Sequence, residues 1–470
     1  MTTTDTPTAP TADPPNPSAS PSRTELRELV RLSGPLIAGH AGNQLMGLVD
    51  TAMVGRLGSA SLAGVGVGAG IFFVITVVGM GILLGLDPII AQSLGAGDPA
   101  RARRALWQGI YIALALSLPT MAVIALGSLL LGPFGIEAET AAEARRFMFG
   151  RLPNVLPFFL FTACRSYLQA AGGGRTIILS MIAANIANLA GNTVLIYGDA
   201  GLAWLGLPAI GMPALGVFGS GLASSLASVM SLCMALIGVR AIAAPADPDR
   251  RAFSPELVKK VVKLGWPIGL QLVAEVGAFG LMSLLAGRMG KVPAAGLQVA
   301  ITLASFTFTV TLGIGSATSV RVGRAIGRED PAGARRAGFT GLYVAIAFMS
   351  FTAVAFVAAP GVFARILTDK PEVLAATIPL VQLAGIFQIS DGIQAVSSGA
   401  LRGAGDTSSL HRANLIGHYL IGIPIAIALG FGAGLGAPGL WWGVTAGLTA
   451  VAAFLTYRFN KISRGPLARV

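Results

Sequence analysis

Long runs of apolar residues alternate with short polar segments along almost the whole chain. Each run holds about 18 residues or more, enough for an α-helix to cross a hydrocarbon core of about 30 Å. Backbone polar groups in lipid must be satisfied within the segment, and strand-type alternation is absent, so the pattern predicts helices. The twelve predicted spans are 29–54, 62–90, 105–132, 146–170, 176–198, 213–243, 259–287, 295–320, 337–366, 374–400, 410–432 and 438–458.

The composition agrees with an all-α polytopic membrane protein. The chain has 470 residues, of which 54% are hydrophobic and 11% are charged, whereas a soluble domain carries roughly 25% charged residues. Its 62 glycines suit close helix packing in a membrane bundle. The net charge of +12 resides in short loops between spans, so we expect no nucleic-acid partner.

Basic residues concentrate in the even-numbered connections between spans and in the C-terminal segment. Loops rich in Lys and Arg stay on the cytoplasmic side of a membrane. We therefore expect a multi-pass protein of the plasma (cytoplasmic) membrane with both termini in the cytoplasm. The connections in question include Arg101, Arg103, Arg104, Arg175, Arg250, Arg251, Lys259, Lys260, Arg321, Arg324, Arg328, Arg335, Arg336, Arg402 and Arg412.

The two halves of the chain are repeats. The segment "GDPARARRA" from Gly97 matches "EDPAGARRA" from Glu329 in seven of nine positions, at a spacing of 232 residues. Asp-Pro is typical of an N-cap followed by a first-turn proline, so a short basic helix is expected at each copy. Because each half holds an even number of spans, the halves should be related by a pseudo-twofold axis along the membrane normal.

This repeat predicts two pseudo-symmetric six-helix lobes around a central cleft. We assign 25–243 to the N-lobe and 259–460 to the C-lobe, joined by a cytoplasmic linker at 244–258. Residues 1–24 and 461–470 are expected to be cytoplasmic tails, the first of them disordered because it is rich in Thr, Pro and Ala.

Three acids fall in the middle of predicted spans: Asp50, Glu275 and Asp391. An acid there costs roughly 2.5–3.5 kcal/mol on insertion scales, so it indicates function. None recurs at the matching position of the other half, and the spans hold few basic residues. We expect these acids to lack a fixed cation and to exchange protons or bind Na⁺. The alternative is that each pairs with a buried arginine or caps a broken helix, and the role of Asp87 stays open.

Four segments strongly resemble multidrug and toxic compound extrusion (MATE) transporters, with the acids closest to the bacterial norfloxacin-extrusion subfamily. They are "LVDTAMVGRLGSASLAGVGVG", "AQSLGAGDPARARRAL", "LGWPIGLQLVAEVGAF" and "DGIQAVSSGALRGAGDT". The resemblance covers about residues 25 to 460. It implies a cation-coupled antiporter that exports cationic or amphipathic compounds by alternating access in exchange for H⁺ or Na⁺. Asp50 matches the family's N-lobe acid, and Glu275 and Asp391 match its C-lobe pair.

Several polar and aromatic residues are further candidates for the cleft. Span 5 carries three amides, whereas the pattern of a sister subfamily has an Asn and an Asp four residues apart in this span. The resemblance therefore gives less support to a proton site centred on span 5. These amides could also hold helices together, the methionines could be plain core residues, and Phe387 could provide a cation–π contact or merely pack. Gln271, Gln388 and Ser390 could complete an oxygen shell for Na⁺ at Glu275 and Asp391. The tentative cleft residues are Gln44, Met46, Met53, Asn185, Asn188, Asn192, Gln271, Phe387 and Gln388.

Other functions fit the sequence less well. A lipid-linked precursor flippase of related architecture is the alternative, but its pyrophosphate substrates would require cations in the cleft. No catalytic, metal or phosphate motif supports a membrane enzyme, and nothing resembles a channel filter. We expect no cofactor beyond the coupling ion, and a monomer whose partners are its small-molecule substrates and membrane lipid.

Overall fold

The computed structural model describes residues 21–133, 135–243 and 247–470, and the regular elements in this part of the chain are helices. Eleven helices among these residues are long and apolar enough to cross a membrane. One further helix, Pro21–Val54, has 34 residues. It is less apolar because its second half carries residues such as Asn43, Gln44 and Asp50. The predicted all-α membrane fold is confirmed.

We number the long helices in chain order, and the first six form the N-lobe. They are α1 Pro21–Val54, α2 Ser59–Gly95, α3 Pro99–Leu129, α4 Ala138–Ala170, α5 Gly174–Tyr197, α6 Gly216–Ala241, α7 Pro255–Met289, α8 Lys291–Gly327, α9 Pro331–Ala358, α10 Pro371–Gly403, α11 Ser408–Gly432 and α12 Gly436–Ile462. Short helical segments connect some of them at Pro248–Arg251, Asp199–Trp204 and Pro360–Arg365.

The two copies of the repeated segment begin helices in the same way. The side chain of Asp98 accepts a hydrogen bond from the backbone N–H of Arg101 at 2.8 Å. In the second copy, Asp330 accepts one from Gly333 at 2.7 Å. The predicted N-caps are therefore confirmed. The helices are not short, however, because α3 and α9 continue from the basic turn directly into the apolar spans.

The N-lobe helices α1 and α2 make the main contacts with the C-lobe. Helix α1 packs on α8, and α2 packs on α7. Under the 232-residue offset these two contacts are equivalent, since α2 (Ser59–Gly95) superposes on α8 (Lys291–Gly327) end to end. The first helix of each half thus packs on the second helix of the other half, as a twofold relation requires.

Glycines allow the helix backbones of the two lobes to touch. A Cβ atom on Gly81 of α2 would overlap the backbone of Gly269 on α7. The equivalent glycine of the C-lobe, Gly313 on α8, is packed in the same way against Ile37 on α1. Because the backbones are in contact here, any side chain at these positions would force the lobes apart.

A second pair of equivalent contacts closes the end of the bundle at which α2 and α8 terminate. Gly95, the last residue of α2, lies against the backbone of Arg324, and Gly327, the last residue of α8, lies against the backbone of Gln92. We call this end, which carries the arginines of α3, α8 and α9, the basic end. Residues 81–93 are buried at every position, whereas most residues in 41–53 are exposed or half-buried. The lobes therefore meet at the basic end and separate towards the other end.

Two predicted boundaries differ from the helices observed. Residues 1–20 of the predicted tail and 244–246 of the predicted linker lie outside the described residues. Helix α1 begins at Pro21, within the predicted tail, and Glu25 on its first turns accepts a hydrogen bond from Arg321 of α8 at 2.8 Å. Helix α7 begins at Pro255, within the predicted linker, because Ser254 caps it.

The glycine contact between the lobes predicts a difference between two substitutions on α2. Gly81→Val should lower stability by about 1–3 kcal/mol, the usual cost of inserting atoms into a packed interior. Gly66→Val on the same helix should change it much less, because a Cβ there has no neighbour within 4 Å. Thermal unfolding of both variants in detergent measures the difference, and equal losses would contradict the proposed contact.

Candidate cation and substrate sites

Asp50 lies in the interior of the N-lobe, near the end of α1, with 5% of its surface exposed. Its Oδ1 atom accepts hydrogen bonds from the side-chain amides of Asn188 at 2.9 Å and Asn192 at 2.6 Å, both on α5. Its Oδ2 atom accepts one from the hydroxyl of Ser224 on α6 at 2.9 Å. The carboxylate of α1 thus joins three helices through side-chain hydrogen bonds.

A buried cation also lies close to Asp50. Arg151 on α4 is near enough for its charge to interact favourably with that of Asp50, although the two form no direct ion pair. Its guanidinium group stacks over the rings of Phe72 at 4.9 Å and Phe147 at 5.6 Å. Among the described residues Asp50 forms no ion pair, so the expectation that it lacks a fixed cation stays a prediction, with Arg151 as a buried basic residue nearby. Arg151 lies within the predicted span 146–170, directly before the 3₁₀ turn Leu152–Asn154, and is not among the residues predicted for the site.

The amides of α5 connect it to α1. Asn185 donates hydrogen bonds to the carbonyl of Gly42 at 3.1 Å and to that of Met181 at 2.9 Å. Asn188 and Asn192 are fully buried against Asp50. All three side chains therefore hold α5 to α1 inside the lobe. This is the second of the two roles considered for them, the first being a position in the cleft.

The remaining N-lobe candidates lie along the half of α1 that is far from the basic end. Gln44 and Met46 are half-buried. Met53 packs beside the apolar cluster around Val54, and its carbonyl accepts a hydrogen bond from the hydroxyl of Tyr197 at 2.5 Å. All three candidates are half-buried, so each stays a candidate for contact with a ligand.

The two C-lobe acids face each other across α7 and α10. Asp391 is 6% exposed, and the negative charge of Glu275 acts directly on it. Gln394, one turn after Asp391, donates a hydrogen bond to the carboxylate of Glu275. Within the described part of the chain, neither acid forms an ion pair with an arginine or lysine. Two carboxylates this close repel each other when both are ionised, and a proton or a monovalent cation would relieve that repulsion.

Gln388 and Ser390 have other hydrogen-bond partners. The Oε1 atom of Gln388 accepts a hydrogen bond from Thr352 at 3.0 Å, and the hydroxyl of Ser390 lies 2.8 Å from that of Thr449. The Oε1 atom of Gln394, by contrast, is buried and has no hydrogen-bond partner among the described residues. Gln394 is therefore a better candidate oxygen ligand than either of them. Its position one helical turn after Asp391 was the sequence signal for it.

The other two C-lobe candidates are buried inside the lobe. Gln271 lies one turn before Glu275 on α7, with 6% of its surface exposed. Phe387 packs edge-on against Phe279 at 6.2 Å and Trp441 at 5.7 Å between ring centroids. Of the two roles considered for Phe387, the structure shows aromatic packing, so this ring contributes to the rigidity of α10 beside Asp391.

Asp87 belongs to a polar network between the lobes at the basic end. It is 2% exposed on α2 and accepts a hydrogen bond from Gln169 of α4 at 2.9 Å. Across the lobe contact, the Nε atom of Arg402 on α10 lies 3.4 Å from its Oδ2 atom. Arg165 on α4 is close enough for its charge to act on both Asp87 and Arg402. The acid that the sequence left unassigned therefore joins the two lobes electrostatically.

Comparison with known proteins places this arrangement in context. A sequence model of the MatE family matches the chain twice, at residues 35–194 and 267–428, one match in each lobe. A "Probable multidrug resistance protein NorM" of Bradyrhizobium diazoefficiens is 34% identical over 452 residues, covering 94% of each chain. A protein of the same name from Deinococcus radiodurans is 33% identical and covers 95% of this chain and 97% of its own.

Solved structures share the same fold. The eukaryotic MATE transporter AtDTX14 superposes with a TM-score of 0.82 and 22% identity, over 94% of this chain and 98% of its own. A multidrug resistance MATE transporter solved in an outward-facing conformation gives a TM-score of 0.82 and 20% identity, over 95% of this chain and all of its own. These similarities confirm the fold of two lobes.

The Asp87–Arg402 pair predicts non-additive effects of substitution. Asp87→Asn should destabilise the protein by about 3–5 kcal/mol, because it leaves the largely buried Arg402 without its carboxylate. The double variant Asp87→Asn, Arg402→Gln should lose less than the sum of the single variants. Thermal unfolding of the four proteins provides the cycle. Strict additivity would show that the pair does not join the lobes.

The hydrogen bonds of Asp50 predict that its neutralisation destabilises the protein, whereas neutralising an acid without partners would not. Asp50→Asn should lower stability by about 1.5–3 kcal/mol, the range for hydrogen bonds to charged groups, because Arg151 then has no opposite charge nearby. Ser224→Ala removes one donor and keeps the charge, so it should cost less. If Asp50→Asn unfolds at the same temperature as the native protein, these contacts contribute nothing to stability.

Proposed function

The chain belongs to the MatE family, and from this premise we propose that it is a secondary active exporter of cationic or amphipathic compounds. In this proposal the efflux of substrate is coupled to the entry of H⁺ or Na⁺. Relatives that share a third of its residues over nearly the full chain are named multidrug resistance proteins. The flippase alternative has no comparable support.

The observation that supports coupling most strongly is the acid pair of the C-lobe. Glu275 and Asp391 repel each other and have no basic partner among the described residues. Binding of one proton or one Na⁺ would remove most of that repulsion. Their carboxylates and the unpaired oxygen of Gln394 are the hard oxygen ligands that Na⁺ prefers. We propose that the coupling ion binds here.

Asp50 has a different role in this proposal. Its carboxylate already accepts hydrogen bonds from three side chains and has Arg151 nearby. We propose that Asp50 fixes α1 to α5 and α6, so that the N-lobe moves as one body when substrate or ion binds.

Alternating access requires two arrangements of the lobes. The contacts at Gly81, Gly95 and their C-lobe equivalents close the basic end, while α1 is more exposed towards the other end. We propose that the basic end faces the cytoplasm, following the distribution of arginines, so this arrangement opens outwards. An ion that binds one arrangement more tightly than the other shifts the equilibrium, and the effect of substrate is reciprocal.

Transport in reconstituted vesicles tests the coupling site. Glu275→Gln and Asp391→Asn should each reduce gradient-driven efflux at least roughly tenfold, the factor that corresponds to 1.4 kcal/mol. Efflux is measured from proteoliposomes under a Na⁺ gradient alone and then under a pH gradient alone, which also identifies the ion.

Asp369→Asn provides the matched control, because Asp369 is an exposed acid of the same lobe. Its efflux should equal that of the native protein. The coupling assignment is refuted if the neutralised pair still exports substrate at the native rate under the effective gradient.

A further inference from the structure

A pocket at the basic end lies between the two lobes and belongs to neither candidate site described above. The N-lobe side is formed by the end of α2 at Leu94 and Gly95, the start of α3 at Pro99, and Tyr167 on α4. The C-lobe contributes Arg324 and Arg328 from the last turns of α8. A ligand in this pocket would therefore touch both lobes where they are in contact.

The C-lobe wall of the pocket has unbalanced positive charge. Arg321, Arg324 and Arg328 lie on successive turns of α8, and the charges of Arg321 and Arg328 act unfavourably on Arg324. Only Arg321 among the three forms ion pairs within the described residues, with Glu25 and Glu28 of α1. Arg324 donates a hydrogen bond to the uncharged carbonyl of Ala170. The charge of Glu28 on α1 acts favourably on Arg324, but two arginines oppose it there.

The N-lobe wall of the pocket includes the hydroxyl-bearing side chain of Tyr167. Tyr167 is 1% exposed and lines the pocket, and its hydroxyl has no hydrogen-bond partner among the described residues. The guanidinium group of Arg103 stacks on its ring at 4.6 Å and donates to the backbone carbonyls of Val239 and Ile242. Arg103 thus holds the Tyr167 ring in place at a pocket that Arg324 and Arg328 of the other lobe also line.

We propose that this pocket binds a phosphate-bearing anion. Guanidinium groups donate paired hydrogen bonds that match the oxygens of phosphate, and such charge-assisted bonds are among the strongest in proteins. Tyr167 supplies a third donor from the opposite wall. The phosphate can belong to the headgroup of an anionic phospholipid or to a small soluble molecule, since both present the same oxygens.

The position of the pocket gives the anion a consequence for the whole molecule. A ligand that contacts Tyr167 and Arg328 at once binds only while the lobes are together at the basic end. By linkage it stabilises that arrangement and opposes its opening. The pocket is separate from Glu275 and Asp391, so binding of the anion can be measured in the absence of transport.

The test uses the full-length purified protein and two kinds of probe. In detergent at constant ionic strength, inorganic phosphate and glycerol phosphate are titrated against sodium chloride as control, and the melting temperature is recorded. In nanodiscs, the same measurement compares phosphatidylcholine with phosphatidylcholine containing phosphatidylglycerol. A rise in detergent identifies a soluble phosphate, and a rise only with phosphatidylglycerol identifies a lipid headgroup.

Substitutions then locate the effect. Arg328→Gln should weaken binding about tenfold, as expected for loss of charge-assisted hydrogen bonds, and Tyr167→Phe should weaken it through loss of the hydroxyl alone. Arg412→Gln is the control, because Arg412 is an exposed arginine on the first turn of α11, outside the pocket. Arg412→Gln should respond like the native protein. The proposal is overturned if neither probe raises the melting temperature, or if Arg328→Gln and Tyr167→Phe also respond like the native protein.

Discussion

Contact between helix backbones at one end of the bundle is the constraint on which the rest of the structure depends. Lipid gives helices no hydrophobic reason to associate, so van der Waals contact and polar links must hold the lobes together. Gly81 and Gly95, with their C-lobe equivalents, provide the van der Waals contact. The pair of Asp87 and Arg402 provides the polar link, and Asp87 lies between these two glycines on α2. Both links lie at the basic end, which leaves the opposite halves of α1 and α7 free to border a cleft.

The same scaffold carries acids in two contrasting environments. In the N-lobe, Asp50 is surrounded by donors and has Arg151 nearby, so its charge is compensated by the protein itself. In the C-lobe, Glu275 and Asp391 face each other with one amide donor between them. The first arrangement favours rigidity, and the second favours binding of something positive. Duplication therefore kept the architecture of the halves while their buried charges diverged.

Most of the fold could be predicted from the sequence, and part of the site could not. Apolar runs and the 232-residue repeat indicate helices, lobes and the N-caps at Asp98 and Asp330, because these depend on nearby residues. The partners of Asp50 lie 138 to 174 positions away, on α5 and α6. Hydrophobic periodicity shows that a helix exists and does not show which of its faces meets a given neighbour. The Asp87–Arg402 pair was missed for the same reason.

The exchange of helices between the lobes also constrains how such a protein can evolve. Each interface position meets a position of the other half, as Gly81 meets Gly269 and Gly313 meets the equivalent Ile37. A larger residue on one half is therefore tolerated only after a compensating reduction on the other. After the ancestral gene duplicated, the two copies could no longer accumulate interface changes separately. Halves recombined from distant relatives would carry mismatched surfaces, so natural chimeras should join only closely related sequences.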